Sequence, residues 1–367
     1  MPCRRAQADF PFEGRLLRST LVLAGRLSDG LCGMNKVLLD EGREFSHPQE
    51  EHMRSLFMIG LALLLGCGSA EEPSSDPSVL MANAPIVSLP SGSGDGVMSA
   101  ELSPQTAGPL DGRPYQYKVP SRYDKTKPTP LVVMLHGFSA SGSVEELYLN
   151  IGALAEQKTF LYAFPDGTKN PVGLRFWNAM EWCCNFFKSS VDDVAYINAV
   201  ISDMQARFNV DPKRIFVVGH SNGAFMAHRI ACELSDKVAG IVSLAGEQWN
   251  DPTRCTPKNP VPILQVHGTL DVVIGYLGMP GLYPGAKETV QVWAQKNGCG
   301  GRLTYSGENR DLDLVLLGAE TTVEKFTGCP STGPVELWSI QGGGHVPVFN
   351  SYFTSSIYDF LMSHPKP

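Results

Sequence analysis

Three side chains in this sequence have the types and the order needed to attack a carbonyl carbon: Ser221, Asp271 and His345. A serine hydroxyl alone is a poor nucleophile. It needs a base to take its proton and a third group to orient that base. Ser221 is the centre of Gly219-His220-Ser221-Asn222-Gly223. That G-x-S-x-G spacing suits a sharp strand-to-helix turn, with glycines where a β-carbon would clash. Asp271 follows after 50 residues and His345 after a further 74. Each gap holds at least one strand and its crossover. Asp311 and Asp313 are rival acids, but no clear strand precedes them. His228 falls on the helix after the turn, His364 lies at the C-terminus, and His267 reads as structural beside Gly268. A tetrahedral intermediate also needs N–H donors for its oxyanion. The Asn222 amide, next after the nucleophile, is one candidate. The Phe138 amide in "LHGFSASG" is the second, with Ser139 as its alternative.

The elements around these residues follow from local pattern. "RIFVVG" before the turn is a β-branched run that predicts a buried strand, and "AFMAHRIACELS" after it has helical spacing. "PLVVML" predicts a strand at 131–135, just before Phe138. "PILQVHG" leads to Asp271, and "VELWSIQGGG" leads to His345. Every candidate group therefore sits just past a strand, where an open α/β sheet places its chemistry. The expected class is α/β, with a mostly parallel central sheet and helices on both faces.

The chain has 367 residues and a net charge of −7, with no basic run, so nucleic-acid binding is not expected. From Met53, "MRSLFMIGLALLLGCGSAEEP" has a basic start and an apolar run from Leu56 to Leu65. It reads as an export signal over 53–67, too short for a membrane span of about 20 residues. "LLGC" resembles a lipobox, which makes Cys67 a candidate lipidation site. The expected location is outside the cytoplasm, as a bacterial envelope lipoprotein or an extracellular protein, touching membrane only through that anchor. Translation is expected to begin at Met53, with residues 1–52 an upstream extension. Residues 68–107 are rich in Ser, Pro and Gly and read as a flexible tether. One folded domain is expected over 108–365. Its oligomeric state is not legible.

Beyond Cys3, Cys32 and Cys67, six cysteines remain. An even number in an exported domain points to disulfides. The favoured pairs are Cys232 with Cys255 and Cys299 with Cys329. Cys183 and Cys184 are adjacent, and would form a vicinal bridge or stay reduced. No CxxC or HExxH spacing suggests a metal site.

These pieces resemble a known family. "LHGFSASG", "FPDGT", "FWNAMEWCCN", "VDDVAYINAVI", "RIFVVGHSNGAFMAHRIACEL", "VHGTLDVVIGY" and "ELWSIQGGGHVP" are similar to the α/β-hydrolase group that joins polyhydroxybutyrate depolymerases with feruloyl and acetylxylan esterases (carbohydrate esterase family 1, LpqC-like). The likeness covers about residues 108–362. It implies an α/β-hydrolase fold, with Ser221 as nucleophile, Asp271 as acid and His345 as base. It implies ester hydrolysis through an acyl-enzyme, with no cofactor and no metal. Two departures stand out. Many relatives follow the catalytic histidine with Trp-Pro, where this chain has "HVPVF". Polymer-degrading relatives carry a separate substrate-binding domain, and none is legible.

The expected substrate is an ester on a polysaccharide, feruloyl or acetyl, ahead of polyhydroxybutyrate polyester. An acyltransferase, a serine peptidase and a non-catalytic surface binding protein are the rival classes. Trp177 and Trp182 flank the cysteine pair, and with Phe349 they are candidates for the cleft wall. The rival reading for the tryptophans is core packing. Asp192 and Asp193 open a predicted helix and read as complements to its dipole.

Overall fold

The computed structural model describes residues 6–12, 15–21, 104–108, 110 and 112–367. The chain divides into two compact units, Met1–Ser93 and Gly94–Pro367. In the first, β1 (Ala6–Phe12) and β2 (Arg15–Leu21) pair antiparallel, with Ala6 opposite Leu21. The expected signal segment, its Cys67 and most of the tether lie outside the described residues. The end of the tether differs from expectation. There β3 (Gln105–Thr106) pairs with β4 (Tyr115–Lys118), and Ala107 is buried. Backbone committed to a ladder is not free linker, so the folded unit starts a few residues before 108.

The second unit continues with β5 (Thr129–Leu135), helices α1 (Gly142–Leu149) and α2 (Ile151–Lys158), and β6 (Leu161–Pro165). A short hairpin, β7 (Thr168–Lys169) and β8 (Arg175–Phe176), precedes α3 (Asp193–Arg207). Then come β9 (Val210–His220), α4 (Asn222–Glu233), β10 (Gly240–Leu244) and β11 (Ile263–Gly268). A second hairpin, β12 (Gly278–Met279) and β13 (Tyr283–Pro284), leads to α5 (Ala286–Lys296). The chain ends with β14 (Leu303–Arg310), β15 (Thr321–Phe326), β16 (Val335–Ile340) and α6 (Ser351–Met362).

Ten strands form one sheet in the order β14-β15-β16-β11-β10-β9-β5-β6-β4-β3. The central six, β16 to β6, run parallel, and antiparallel strands flank them on both edges. Parallel neighbours need crossovers, and helices supply them. Side chains alternate between two cores. Leu131, Val133, Ile215 and Val217 face one side, where α3, α4 and α5 pack through Ile197, Ile230 and Trp293. Val132, Met134, Phe216 and Val218 face the other, where α2 and α6 pack through Leu154 and Phe353. With both faces covered, the central strands read as unbroken apolar runs rather than alternating ones. The class expected from the sequence, α/β with helices on both faces, is the architecture found.

Disulfides join Cys232, in α4, to Cys255 and Cys299, after α5, to Cys329, the two pairs favoured from the sequence. Each closes a loop of a length worth about 3 kcal/mol on the chain-entropy account. Cys183 and Cys184 form the vicinal bridge. Among the described residues, no helix is long and apolar enough to cross a membrane.

Candidate active site

The site lies where the sheet changes direction. β5 leads to β6 on one side, whereas β9, its other neighbour, leads to β10 away from it. Loops leaving the carboxyl ends of β5 and β9 therefore diverge and open a crevice. Gly137 leaves one strand and Ser221 the other. A β-carbon on Gly137 would stand 3.4 Å from that of Ser221.

Ser221 occupies a conformation that residues with a β-carbon rarely take, φ 53° and ψ −119°. Such a residue carries about 1–3 kcal/mol of strain, held by its surroundings. The holding is visible. The Ser221 amide donates to the Leu244 carbonyl at the end of β10 (2.8 Å). The flanking glycines let α4 approach the sheet. A β-carbon on Gly219 would strike the Gly223 carbonyl, and one on Gly223 would strike the Leu135 carbonyl of β5. These obstacles are backbone and cannot swing aside. Gly223→Ala is therefore expected to cost about 1–3 kcal/mol of stability, the usual penalty of overpacking. Urea unfolding measures it, and an unchanged midpoint would refute the close approach.

The structure brings the three candidate side chains together. His345 Nε2 lies 2.9 Å from Ser221 Oγ, and His345 Nδ1 lies 2.7 Å from Asp271 Oδ2. The other carboxylate oxygen, Oδ1, accepts from the Val273 and Ile274 amides (2.8 and 2.9 Å). Burial resists ionisation of Asp271. Hydrogen bonds from His267 and His345 outweigh it and hold the carboxyl well below the usual carboxylate range. For His345, burial is the largest influence and holds the imidazole below its ordinary value. Asp271 pulls the other way, and His220 adds to the lowering.

That direction has a kinetic consequence. A base must be neutral to accept a proton, and a depressed value keeps it neutral to lower pH. The acid limb of kcat/KM is expected below the ordinary histidine value of about 6.5. A pH series on a soluble ester reads it directly. A limb at neutral pH or above would contradict the burial argument.

The two candidate oxyanion donors stand in the loops that leave β5 and β9. Among the described residues, neither the Phe138 nor the Asn222 amide donates to a protein acceptor. Asn222 opens α4, where first-turn amides lack intrahelical partners. The Ser139 amide, the alternative donor, is committed to the Arg175 carbonyl (2.8 Å). Of the two, that leaves the Phe138 amide without a protein acceptor among the described residues.

The cleft candidates fare differently. Trp177 is wholly buried. Its indole donates to the His136 carbonyl (3.0 Å), and its backbone is held at both ends by the Asn222 side chain. It braces the elbow and does not line a cleft, which corrects the expectation. Phe349 stacks on Phe353 of α6 at 3.5 Å and leans on Tyr148, so its ring serves the core below α6 rather than the cleft. Half-buried Trp182 stacks on Tyr283 (4.4 Å) and meets Phe225 edge-on (4.8 Å). Asp193, expected to complement the α3 dipole, is buried and pairs with Arg113 at 2.6 Å.

Two buried carboxylates escaped the sequence reading. Glu145, on α1, accepts the Gly137 amide (3.1 Å) and lies 3.0 Å from His220 Nδ1. Glu247 lies 2.8 Å from His267 Nδ1, whose Nε2 faces the Ile274 carbonyl (2.8 Å) and Asp271 (3.3 Å). His267 was expected to be structural, and it does tie the acid loop to the loop after β10. Burial opposes its charge, yet its two carboxylate neighbours push its value up to about 10. His228 is buried too, between Gln265 and Trp293, and burial lowers it to about 4. Among the described residues, no group of three or more His, Cys, Asp or Glu side chains is arranged to hold a metal ion.

Comparison with known proteins agrees with this geometry. Residues 122–291 match the phospholipase/carboxylesterase family. Feruloyl esterase B of Piromyces equi is 30% identical over 239 residues, covering 62% of this chain and 41% of that protein. Feruloyl esterase C of Emericella nidulans is 23% identical, covering 69% and 85%. Thus the chain spans less than half the length of the Piromyces relative. Among solved structures, the acetyl xylan esterase of Aspergillus awamori is 16% identical with a TM-score of 0.49, covering 70% of this chain and 99% of that one. With its parallel six-strand centre, its serine elbow and a segment over 122–291 similar to the phospholipase/carboxylesterase family, the chain has the α/β-hydrolase fold.

Proposed function

We propose that this protein is an exported serine esterase that hydrolyses carboxylic esters carried on a polysaccharide, feruloyl or acetyl. The observation that carries the reading is the unbroken hydrogen-bond chain Asp271–His345–Ser221, ending at the strained elbow. The similarity to two feruloyl esterases supports the substrate class. The three disulfides support an oxidising location.

In this mechanism Ser221 Oγ attacks the ester carbonyl carbon while His345 Nε2 takes the hydroxyl proton. The carbonyl oxygen becomes an oxyanion and receives the Phe138 and Asn222 amide hydrogens. Collapse breaks the bond to the alcohol, and His345 returns its proton to that leaving oxygen. Water then attacks the acyl-enzyme by the same path and releases the acid. Asp271 holds the imidazole in place and stabilises its charged form.

A polyester depolymerase is the second reading, favoured by one observation. Leu270, Val272 and Val273 around the acid, and Val346 and Val348 after the base, are exposed apolar residues. Such a rim suits an apolar polymer surface. Assay of the full chain on methyl ferulate, acetylated xylan, p-nitrophenyl esters and 3-hydroxybutyrate oligomers separates the readings. Preference for the first two supports the polysaccharide ester, and preference for the oligomers supports the polyester. Hydrolysis of none of them by the folded protein would refute both.

A further inference from the structure

We propose that Glu145 and His220 are positioning residues: a buried ion pair that clamps the oxyanion loop, the serine elbow and the histidine loop into one unit. The inference rests on Ser221 and His345 acting as proposed above. The geometry is a chain of contacts across three loops. Glu145 Oε2 accepts the Gly137 amide, which immediately precedes Phe138 (3.1 Å). Glu145 Oε1 lies 3.0 Å from Nδ1 of His220, the residue before Ser221. His220 Nε2 lies 3.1 Å from the backbone carbonyl of His345 itself. Glu145 is 3% exposed and His220 6%, so water does not compete for these bonds.

The partners dictate the protonation. A carbonyl oxygen only accepts, so His220 Nε2 carries a hydrogen. An ionised carboxylate only accepts, so Nδ1 carries one too, and His220 is an imidazolium. Burial disfavours both charges, but each partner overrides it: Glu145 is held below the ordinary carboxyl value and His220 above the ordinary imidazole value. A carboxylate suits this position for a second reason. It offers two acceptor oxygens to two N–H donors, whereas a carboxamide offers one. Glu145 thus reaches from α1 to both the oxyanion loop and the elbow, and so the oxyanion donor and the base keep their spacing from the nucleophile.

The clamp also places a positive charge beside the base. The His220 and His345 rings are 5.3 Å apart. The titratable groups facing His345 are Asp271, His220 and the more distant His267. Those facing His220 are Glu145, Asp271 and His345, with the Tyr148 ring against it at 5.4 Å. Glu145 in turn faces His220 and His136. Removing the His220 charge takes away one of the two cations facing His345, leaving His267, which is already paired with Asp271, and a Glu145 without its partner. The basicity of His345 then rises, and the acid limb of kcat/KM moves to higher pH.

The test uses the full chain with the substitutions His220→Gln and Glu145→Gln, on p-nitrophenyl acetate. Both are expected to lower kcat by about 10–10²-fold with KM changed little, the signature of misplaced groups. His220→Gln is also expected to move the acid limb upward by about one pH unit. A merely structural pair would lower the active fraction, counted with a serine-directed phosphonate, and leave the limb where it was. That result overturns the proposal, as does unchanged kcat in the folded variants. A second measurement needs neither activity nor a variant. ¹⁵N NMR of the wild-type histidines, with His220 identified by its contacts to the Tyr148 ring, is expected to show both ring nitrogens protonated between pH 5 and 8. One protonated nitrogen overturns the clamp even if the protein folds and hydrolyses esters. Loss of esterase activity in the wild type with an intact imidazolium would instead overturn the function beneath it.

Discussion

Ser221→Ala is expected to lower kcat/KM on every ester the wild type hydrolyses by about 10⁴–10⁶-fold, because the hydroxyl proposed to form the acyl-enzyme is gone. The environment predicts a clean loss. Alanine keeps the β-carbon that already tolerates φ 53° at this turn. It also leaves the Leu244 carbonyl bonded to the same amide. The fold should therefore survive, with a melting temperature close to that of the wild type. Residual activity would come from the Phe138 and Asn222 amides acting on a bound ester with water as nucleophile. The measurement is initial rate against substrate for both proteins, with labelling by a serine-directed phosphonate beside it. Hydrolysis within tenfold of wild type, in a protein no longer labelled, would remove Ser221 from the mechanism and return the elbow to a structural turn.

Asp271→Asn is expected to lower kcat by about 10⁴-fold while KM stays nearly constant. The hydrogen bonds explain why so small a change has so large an effect. Oδ1 accepts two backbone amides, from Val273 and Ile274. An asparagine must put its carbonyl oxygen there, since its NH₂ would meet two other donors. The NH₂ then takes the Oδ2 place and faces His345 Nδ1. That nitrogen must now accept instead of donate, so the ring proton moves to Nε2. Nε2 is the atom 2.9 Å from Ser221 Oγ, and a protonated nitrogen cannot take the serine proton. The same NH₂ also faces His267, 3.3 Å from Oδ2, which loses an acceptor. Steady-state kinetics and a thermal melt on one sample separate the chemistry from the fold. A loss below about tenfold would show that His345 is oriented by something other than Asp271.

The clamp and the acid share one design feature. Each carboxylate places its two oxygens on different loops. Asp271 joins its own turn to the histidine, and Glu145 joins the oxyanion loop to the elbow. Two-acceptor groups buried at loop junctions fix distances that single hydrogen bonds would leave loose. This suits a site whose donors must already point at an oxyanion before one forms.

What the sequence by itself determined are the features written in short-range pattern. The β-branched runs at 131–135 and 215–220, the helical spacing after Asn222 and the turn glycines specify strand, elbow and helix from their neighbours alone. Chain order then placed Ser221, Asp271 and His345 just past the ends of β9, β11 and β16, and the sheet brings them within hydrogen-bond distance. The two long disulfide pairings were legible in the same way, from cysteines beside predicted elements. Only the tertiary structure decided which polar and aromatic groups are buried and what they touch. Glu145 stands in "SVEEL", where an acid in a first helical turn reads as surface charge. Its partner His220 lies 75 residues away. Trp177 looked like a cleft wall until the His136 carbonyl, 41 residues before it, took its indole hydrogen. The commitment of the Ser139 amide, the alternative donor, to the Arg175 carbonyl comes from a separate hairpin and could not be read locally. Local pattern encodes dihedral angles and faces. A buried hydrogen bond depends on where two distant backbones meet, and that is settled only when the sheet has assembled.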